Sequence, residues 1–307
     1  MSTAAEEPDL LSQLSAAVAG RVAVAAPILA AIDAGRGRRL SGVLWRPGVV
    51  VTSRQALPEA ERNAVALGGG EPRAATLAGD DPGTNVAVLR LEGDAAGAPA
   101  LPPRAGEQQP GMLALVVGAG EHGRPTARLA TVHATGPAWH SMAGGRIDRL
   151  LRLDGRLGQR EEGGPVLDAA GGLLGMSTAG PRGRVLVIPH ETVERVLDPV
   201  LREGRVGRAW LGLGLQPVEV PAALRDAAGR DSGLMVVGLA SGGPSEQAGV
   251  LPGDILLAFD GVAVDRPRGL AALLGGERIG KEAELRLMRA GEIRTVGVTP
   301  APRPAAA

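Results

Sequence analysis

The sequence predicts two domains, a mostly β first domain and a smaller second block mixing strands with a helix, and three observations carry that expectation. The chain has 307 residues, more than one ordinary core of about 150 to 200 residues accommodates. From Leu40 to Ile188, short Val, Leu and Ala runs are punctuated by Gly, Pro and Asp, with no helical periodicity between them. Many short strands at regular spacing indicate an all-β barrel or sandwich. After Glu191 the pattern becomes helical and then restarts near Val206 as a second strand-rich block.

In chain order, Leu10, Leu11, Leu14, Val18 and Val22 recur at helical spacing, so residues 1–20 are assigned to an N-terminal amphipathic helix. The first β domain is assigned to residues 21–203. Its expected strands are Gly42–Trp45, Gly48–Thr52, Ala75–Leu77, Asn85–Leu91, Met112–Val117, Thr126–His133, Leu150–Leu153, Leu173–Ser177 and Arg184–Ile188. Val193, Val196, Leu197, Val200 and Leu201 mark a helix over Glu191–Glu203, stopped by Gly204. The second domain, residues 206–300, offers strands at Trp210–Leu215, Leu234–Leu239, Asp254–Phe259, Glu284–Arg289 and Arg294–Val298, with a helix around Arg268–Leu274. Residues 301–307 are Pro- and Ala-rich and are expected to be a disordered tail.

Composition excludes several function classes. Lys plus Arg (33) balances Asp plus Glu (33), and no long like-charge block occurs, so no nucleic-acid footprint is expected; the basic run Gly35–Arg39 is read as a solvated loop. With no cysteine there is neither a disulfide nor a thiolate nucleophile. Four dispersed histidines at no metal-ligand spacing predict no metal site. Gly118-Ala119-Gly120-Glu121-His122-Gly123 matches a dinucleotide fingerprint, but Pro125 and a strand-like run replace the helix it requires, so no cofactor is expected. Glu6, Glu7 and Asp9 replace a basic leader, and the apolar run Val22–Ile32 is too short to span a bilayer. A cytoplasmic protein with no transmembrane segment is the resulting expectation.

Three stretches in order resemble the triad segments of the HtrA (DegP-like) serine proteases. Ser41-Gly42-Val43-Leu44 with Val50 through Leu57 resembles the segment carrying the general-base His, whose slot holds Gln55. Thr84-Asn85-Val86-Ala87-Val88-Leu89 resembles the segment of the orienting Asp, whose slot holds Asn85. Arg160-Glu161-Glu162-Gly163-Gly164-Pro165 resembles Gly-Asn-Ser-Gly-Gly-Pro, with Glu162 in the nucleophile slot and Arg160 and Glu161 in the oxyanion loop. The resemblance implies a mostly β fold, a trypsin-like double β-barrel followed by a PDZ domain. A glutamine amide accepts no proton near neutral pH, and a carboxylate is a poor attacker of amides. Hence the expectation is a protein that is not an enzyme, a pseudoprotease with no catalytic residues; the alternative is an active HtrA-type serine endopeptidase whose triad is rearranged, drawing on Ser53, Ser141 or Ser177 with His122, His133, His140 or His190. For Glu161 and Glu162, a solvated acidic turn stands beside a role in binding basic peptide or pairing with Arg156 or Arg160.

Ser241 through Leu256 resembles the PDZ signature Gly-Ser-Pro-Ala-x-x-Ala-Gly-Leu-x-x-Gly-Asp-x-Ile. By that resemblance Trp210, Leu211, Gly212 and Leu213 fall on the carboxylate-binding loop, and Leu270, Leu273 and Leu274 supply the far wall of an apolar groove, some of them alternatively core. The implied function is binding of C-terminal or extended peptide segments as an adaptor, chaperone-like holder or regulator of proteolysis, with an active HtrA-like homologue as a candidate partner. The family also implies a homotrimer and, against the cytoplasmic reading, a periplasmic location.

Overall fold

A computed structural model describes residues 9–35, 37–58, 62–93, 106–120 and 123–302. Two compact units are present, Met1–Arg205 and Val206–Ala307.

The first unit opens with α1 (Leu10–Ala25), whose N-cap Asp9 accepts from the Ser12 N–H at 2.8 Å. The helix runs through Gly20, beyond the expected boundary at residue 20, because one glycine costs a helix only about 1 kcal/mol. It ends where Pro27 enters a short 3-10 turn, Ala26–Ile28. Helix and turn together, Leu10–Ile28, make 19 residues of mean hydropathy 1.3, long and apolar enough to cross a membrane by length and composition. This corrects the reading that weighed only Val22–Ile32.

Six antiparallel strands then close a barrel: β1 (Leu29–Asp33), β2 (Arg39–Arg46), β3 (Val49–Ser53), β4 (Arg62–Leu67), β5 (Arg73–Asp81) and β6 (Val86–Leu91), in the order β1-β2-β3-β6-β5-β4. Pairing of β1 with β4 completes the ring. β1 was not among the expected strands: Leu29, Ala30, Ala31 and Ile32 are buried on both faces of the sheet, which removes the alternation that marks a strand.

A second closed barrel follows from β7 (Leu113–Ala119), β8 (Pro125–Gly136), β11 (Leu150–Arg156), β12 (Pro165–Asp168), β13 (Leu173–Ala179) and β14 (Arg184–Pro189), ordered β11-β14-β13-β12-β7-β8. The short β9 (Trp139–His140) and β10 (Arg146–Ile147) pair beside it. Its core is aliphatic, with Val116, Leu151, Leu153, Val166, Leu174, Val185 and Val187 among its buried members. Gly118 and Ala119 end β7, so the dinucleotide-like run leaves the sheet into the connection to β8; Glu121 and His122 lie outside the described residues.

Helix α2 (His190–Glu203) buries Val193, Val196, Leu197 and Val200 and packs on strands of both barrels, β5 and β6 of the first and β13 and β14 of the second. On the first barrel Trp45 Nε1 donates to Glu194 Oε1 at 2.5 Å, and Arg46 donates to Glu194 and Asp198. The Trp45 ring stacks on His190 with centroids 5.1 Å apart. Gly204 caps the helix with φ 73°, and its carbonyl accepts the Asp80 N–H at 3.1 Å.

The second unit contains a sheet ordered β16 (Leu213–Glu219), β17 (Ser232–Leu239), β18 (Ile255–Phe259), β20 (Ala283–Arg289) and β21 (Glu292–Val298), with β19 (Val262–Ala263) on β18. Short helices α3 (Arg225–Ala228), α4 (Pro244–Gln247) and α5 (Pro267–Leu273) complete it. β15 (Ala209–Trp210) pairs with β22 (Ala301–Pro302), so the first two residues of the expected tail are ordered; 303–307 lie outside the described residues. Phe259, Leu234, Leu256, Leu285 and Leu287 form the core.

Candidate functional site

The three residues singled out at the family's triad slots meet between the two barrels of the first unit. Gln55 follows β3, Asn85 precedes β6, and Glu162 lies in the turn before β12. Gln55 Nε2 donates to Glu162 Oε1 at 2.6 Å, and the Gln55 N–H donates to Asn85 Oδ1 at 2.7 Å. Asn85 occupies the left-handed region, φ 60°, which its short side chain tolerates better than most residues.

Two hydroxyls complete the cluster. Ser53 Oγ donates to Glu162 Oε1 at 3.0 Å and accepts from Asn85 Nδ2 at 3.0 Å. Thr178 Oγ1 accepts from Asn85 Nδ2 at 2.6 Å and from Gln55 Nε2 at 3.0 Å. Ser53 was weighed only as a partner of histidine, and Thr178 was not singled out. Their signal was adjacency to the motif segments, with Ser53 two residues before Gln55 and Thr178 near the end of β13, the strand after the one that Pro165 opens. Among these bonded groups Glu162 carries the one ionisable side chain.

The turn bearing Glu162 is clamped from below. Ser41 Oγ donates to the Arg160 carbonyl, Ser41 N–H to the Glu162 carbonyl, and Ser177 Oγ to the Glu161 carbonyl. Glu161, 8 % exposed, accepts from Arg128 Nε and Nη2 at 3.1–3.3 Å and from the Gly158 N–H at 2.9 Å. Arg128, not Arg156 or Arg160, is therefore its partner, and the solvated-turn reading fails for Glu161. A β-strand neighbour 33 positions away leaves no local sequence signal. The other serines considered as nucleophiles are engaged elsewhere: Ser141 Oγ donates to the Gly83 carbonyl at 2.6 Å, and Ser177 is fully buried.

In the second unit, β16 is an edge strand with α5 beside it. Leu213, Leu273 and Leu274 are partly buried against the core, whereas Leu211 and Leu270 are 2 % and 4 % exposed and belong to that core. Gly212 takes φ 75°, and its carbonyl accepts from Ala240 N–H; the half-buried Trp210 ring lies 3.4–3.5 Å from where Gly212 and Gly243 would carry a Cβ.

Comparison with known proteins places this architecture. Residues 40–176 match the trypsin-like peptidase domain and 210–299 the PDZ domain. A probable periplasmic serine endoprotease DegP-like of Brucella suis is 28% identical over 277 residues, covering 85% of this chain and 52% of the relative. Its counterpart in Rhizobium meliloti is 29% identical over 259 residues, covering 82% and 50%. The chain thus carries a trypsin-like peptidase domain followed by a PDZ domain and is similar to the HtrA/DegP-like proteases.

Among solved structures, the HtrA-type protease AlgW with tripeptide superposes with a TM-score of 0.72 at 26% identity, covering 94% of this chain and 98% of that one. The serine endoprotease from Yersinia pestis gives 0.74 at 24%, covering 97% and 100%. This HtrA/DegP-like chain spans about half the length of the curated relatives it matches. The expectation that the protein is not an enzyme is corrected here: the relatives are named serine endoproteases and the structural neighbour at 26% identity an HtrA-type protease, and none of these supports a pseudoprotease. These relatives are described as periplasmic, which favours the periplasmic alternative over the cytoplasmic expectation.

Proposed function

We propose that the chain is a periplasmic HtrA-type serine endoprotease that engages polypeptides through its PDZ domain, with Gln55, Asn85 and Glu162 at the triad positions. The observation that carries the reading is its similarity to DegP-like endoproteases over more than four fifths of its length. The apolar helix at Leu10–Ile28 supports the location.

Within the cluster, Glu162 is the available proton acceptor; Ser53 Oγ donates to it but is as fully buried as Ser177, so this hydroxyl positions the carboxylate. Gln55 and Asn85 are neutral amides: they orient the carboxylate and the hydroxyls and do not themselves take up a proton near neutral pH. Without an imidazole, hydrolysis is expected to be slow, on the order of the 10³–10⁴-fold over water that a triad-depleted serine protease retains. Purified chain incubated with casein for days should yield fragments at a rate lost in Glu162→Ala. Equal fragment yields from the two proteins, or none from either, refute the endoprotease reading.

The PDZ domain makes a separate prediction. Backbone N–H groups of the Trp210–Leu213 loop would hold a terminal carboxylate while the ligand extends the sheet along β16. For the full chain, amidating the C-terminus of an apolar peptide ligand should weaken binding about tenfold or more; anisotropy titration of the free and amidated forms reads this directly, and equal affinities would remove the carboxylate loop from the account.

A further inference from the structure

Beside the cluster, a cavity of about 140 Å³ is lined by Arg152, Gly180, Pro181, Arg182, Arg184 and Leu186. Half of its lining residues are arginines, and none is acidic. Among the described residues, none of the three pairs with a carboxylate, whereas Arg46, Arg54, Arg62, Arg128, Arg146, Arg149 and Arg195 of the same unit each meet an Asp or Glu within 4.0 Å. Arg152 Nε is moreover buried with no hydrogen-bond partner, which is unfavourable for a charged donor unless something supplies an acceptor.

The register puts this cavity on the face that carries the cluster. Arg152 on β11 stands opposite Leu186 on β14, and Leu186 stands opposite Thr178 on β13. Residues directly opposite one another share a face, so Arg152, Leu186 and Thr178 form one row. At about 4.8 Å per strand, Arg152 lies roughly 10 Å from the Thr178 that bonds Gln55 and Asn85. The cavity wall also begins at Gly180, next to Ala179, whose carbonyl accepts from Gln55 Nε2 at 3.1 Å. A span of roughly 10 Å is about three residues of extended chain.

We propose that this cavity is a specificity subsite for an acidic side chain of the polypeptide, Asp or Glu, placed about three residues from the position that meets Glu162. A carboxylate there would accept from Arg152 Nε and pair with the exposed Arg182 and Arg184, whereas a basic or large apolar side chain would leave the arginines uncompensated. The inference rests on the reading that peptide occupies the cleft between the barrels, but does not need it to be cut.

Fluorescent peptides that are amidated at the C-terminus, to silence PDZ capture, and that carry a single Glu or its Gln isostere should be titrated against the full chain. The Glu peptide is expected to bind about 10- to 100-fold more tightly. Arg152→Gln, and separately the exposed pair Arg182→Gln with Arg184→Gln, should erase the difference while circular dichroism stays unchanged. A third peptide, with Gln inside and a free terminal carboxylate, tests the other source of the same chemistry. Equal affinity for the Glu and Gln peptides, a preference that survives both sets of variants, or one that only the free terminus produces, overturns the subsite. Casein digestion by the same preparation separates the two readings: fragments without Glu preference sink the subsite alone, and Glu preference without fragments sinks proteolysis alone.

Discussion

Gly163→Ala should destabilise the first unit by about 3 kcal/mol or more and lower its melting temperature by roughly 6–12 °C. Gly163 takes φ +85°, where an L side chain is strained, and a Cβ there would lie 2.2 Å from the Ser41 carbonyl oxygen and 2.4 Å from Thr52 Oγ1. Both are held in place: Thr52 Oγ1 donates to that same carbonyl at 2.7 Å, and the Gly163 N–H donates to the Ser177 carbonyl at 2.9 Å. Neither atom can retreat without breaking a bond that supports the turn. Gly155 separates the two causes, because it has a similar φ of +81° with nothing within 4 Å of its Cβ position. Gly155→Ala should therefore cost only about 1 kcal/mol, the left-handed backbone penalty. Thermal melts of the two variants decide the matter, and equal losses would show that the close packing beneath Glu162 is not what fixes the turn.

Asp254→Asn should weaken the second unit by about 2–3 kcal/mol, because it removes a charged acceptor that is 1 % exposed. Its carboxylate receives Arg289 Nε and Nη2 at 2.7 Å each and the Leu251 N–H at 2.8 Å. Burial by itself would push the Asp254 carboxyl up; the Arg289 hydrogen bonds, the Leu251 N–H and the nearby positive charge together outweigh it and hold the group below the usual aspartate value. A carboxylate whose folded value is depressed adds stability that is complete above the unfolded value, near 3.9, and fades as pH falls below it. Urea unfolding should therefore show the wild type losing stability below about pH 4 more steeply than Asp254→Asn, whose amide does not titrate there. Parallel curves would show that the pair contributes nothing specific to acid sensitivity.

Strands with one solvated face, or with a clear turn at each end, were legible from the sequence. β2, β3, β6, β17, β18 and β20 fall close to where the apolar runs placed them. β1 and β12 were not, since both are short runs buried on both faces, and periodicity cannot tell such a run from a helix. β4 escaped because its buried residues, Asn63 and Val65, include a polar one. In the candidate site, Gln55, Asn85 and Glu162 could be found because each sits inside a recognisable segment. Thr178 and the Arg128–Glu161 pair could not, since sheet register, which creates those contacts, is written nowhere locally. The activity expectation failed for a different reason: it inferred the whole protein's behaviour from three side chains, whereas the named relatives support proteolysis.

Helix α2 lies after both barrels in the chain yet covers strands of each. On the ribosome the first barrel is thus complete in sequence at Leu91 but lacks its cover until about 100 further residues have emerged, a delay of roughly 5–20 s at ordinary synthesis rates. Through that interval β5 and β6 have an uncovered flank, apolar surface that only the late-arriving α2 shields.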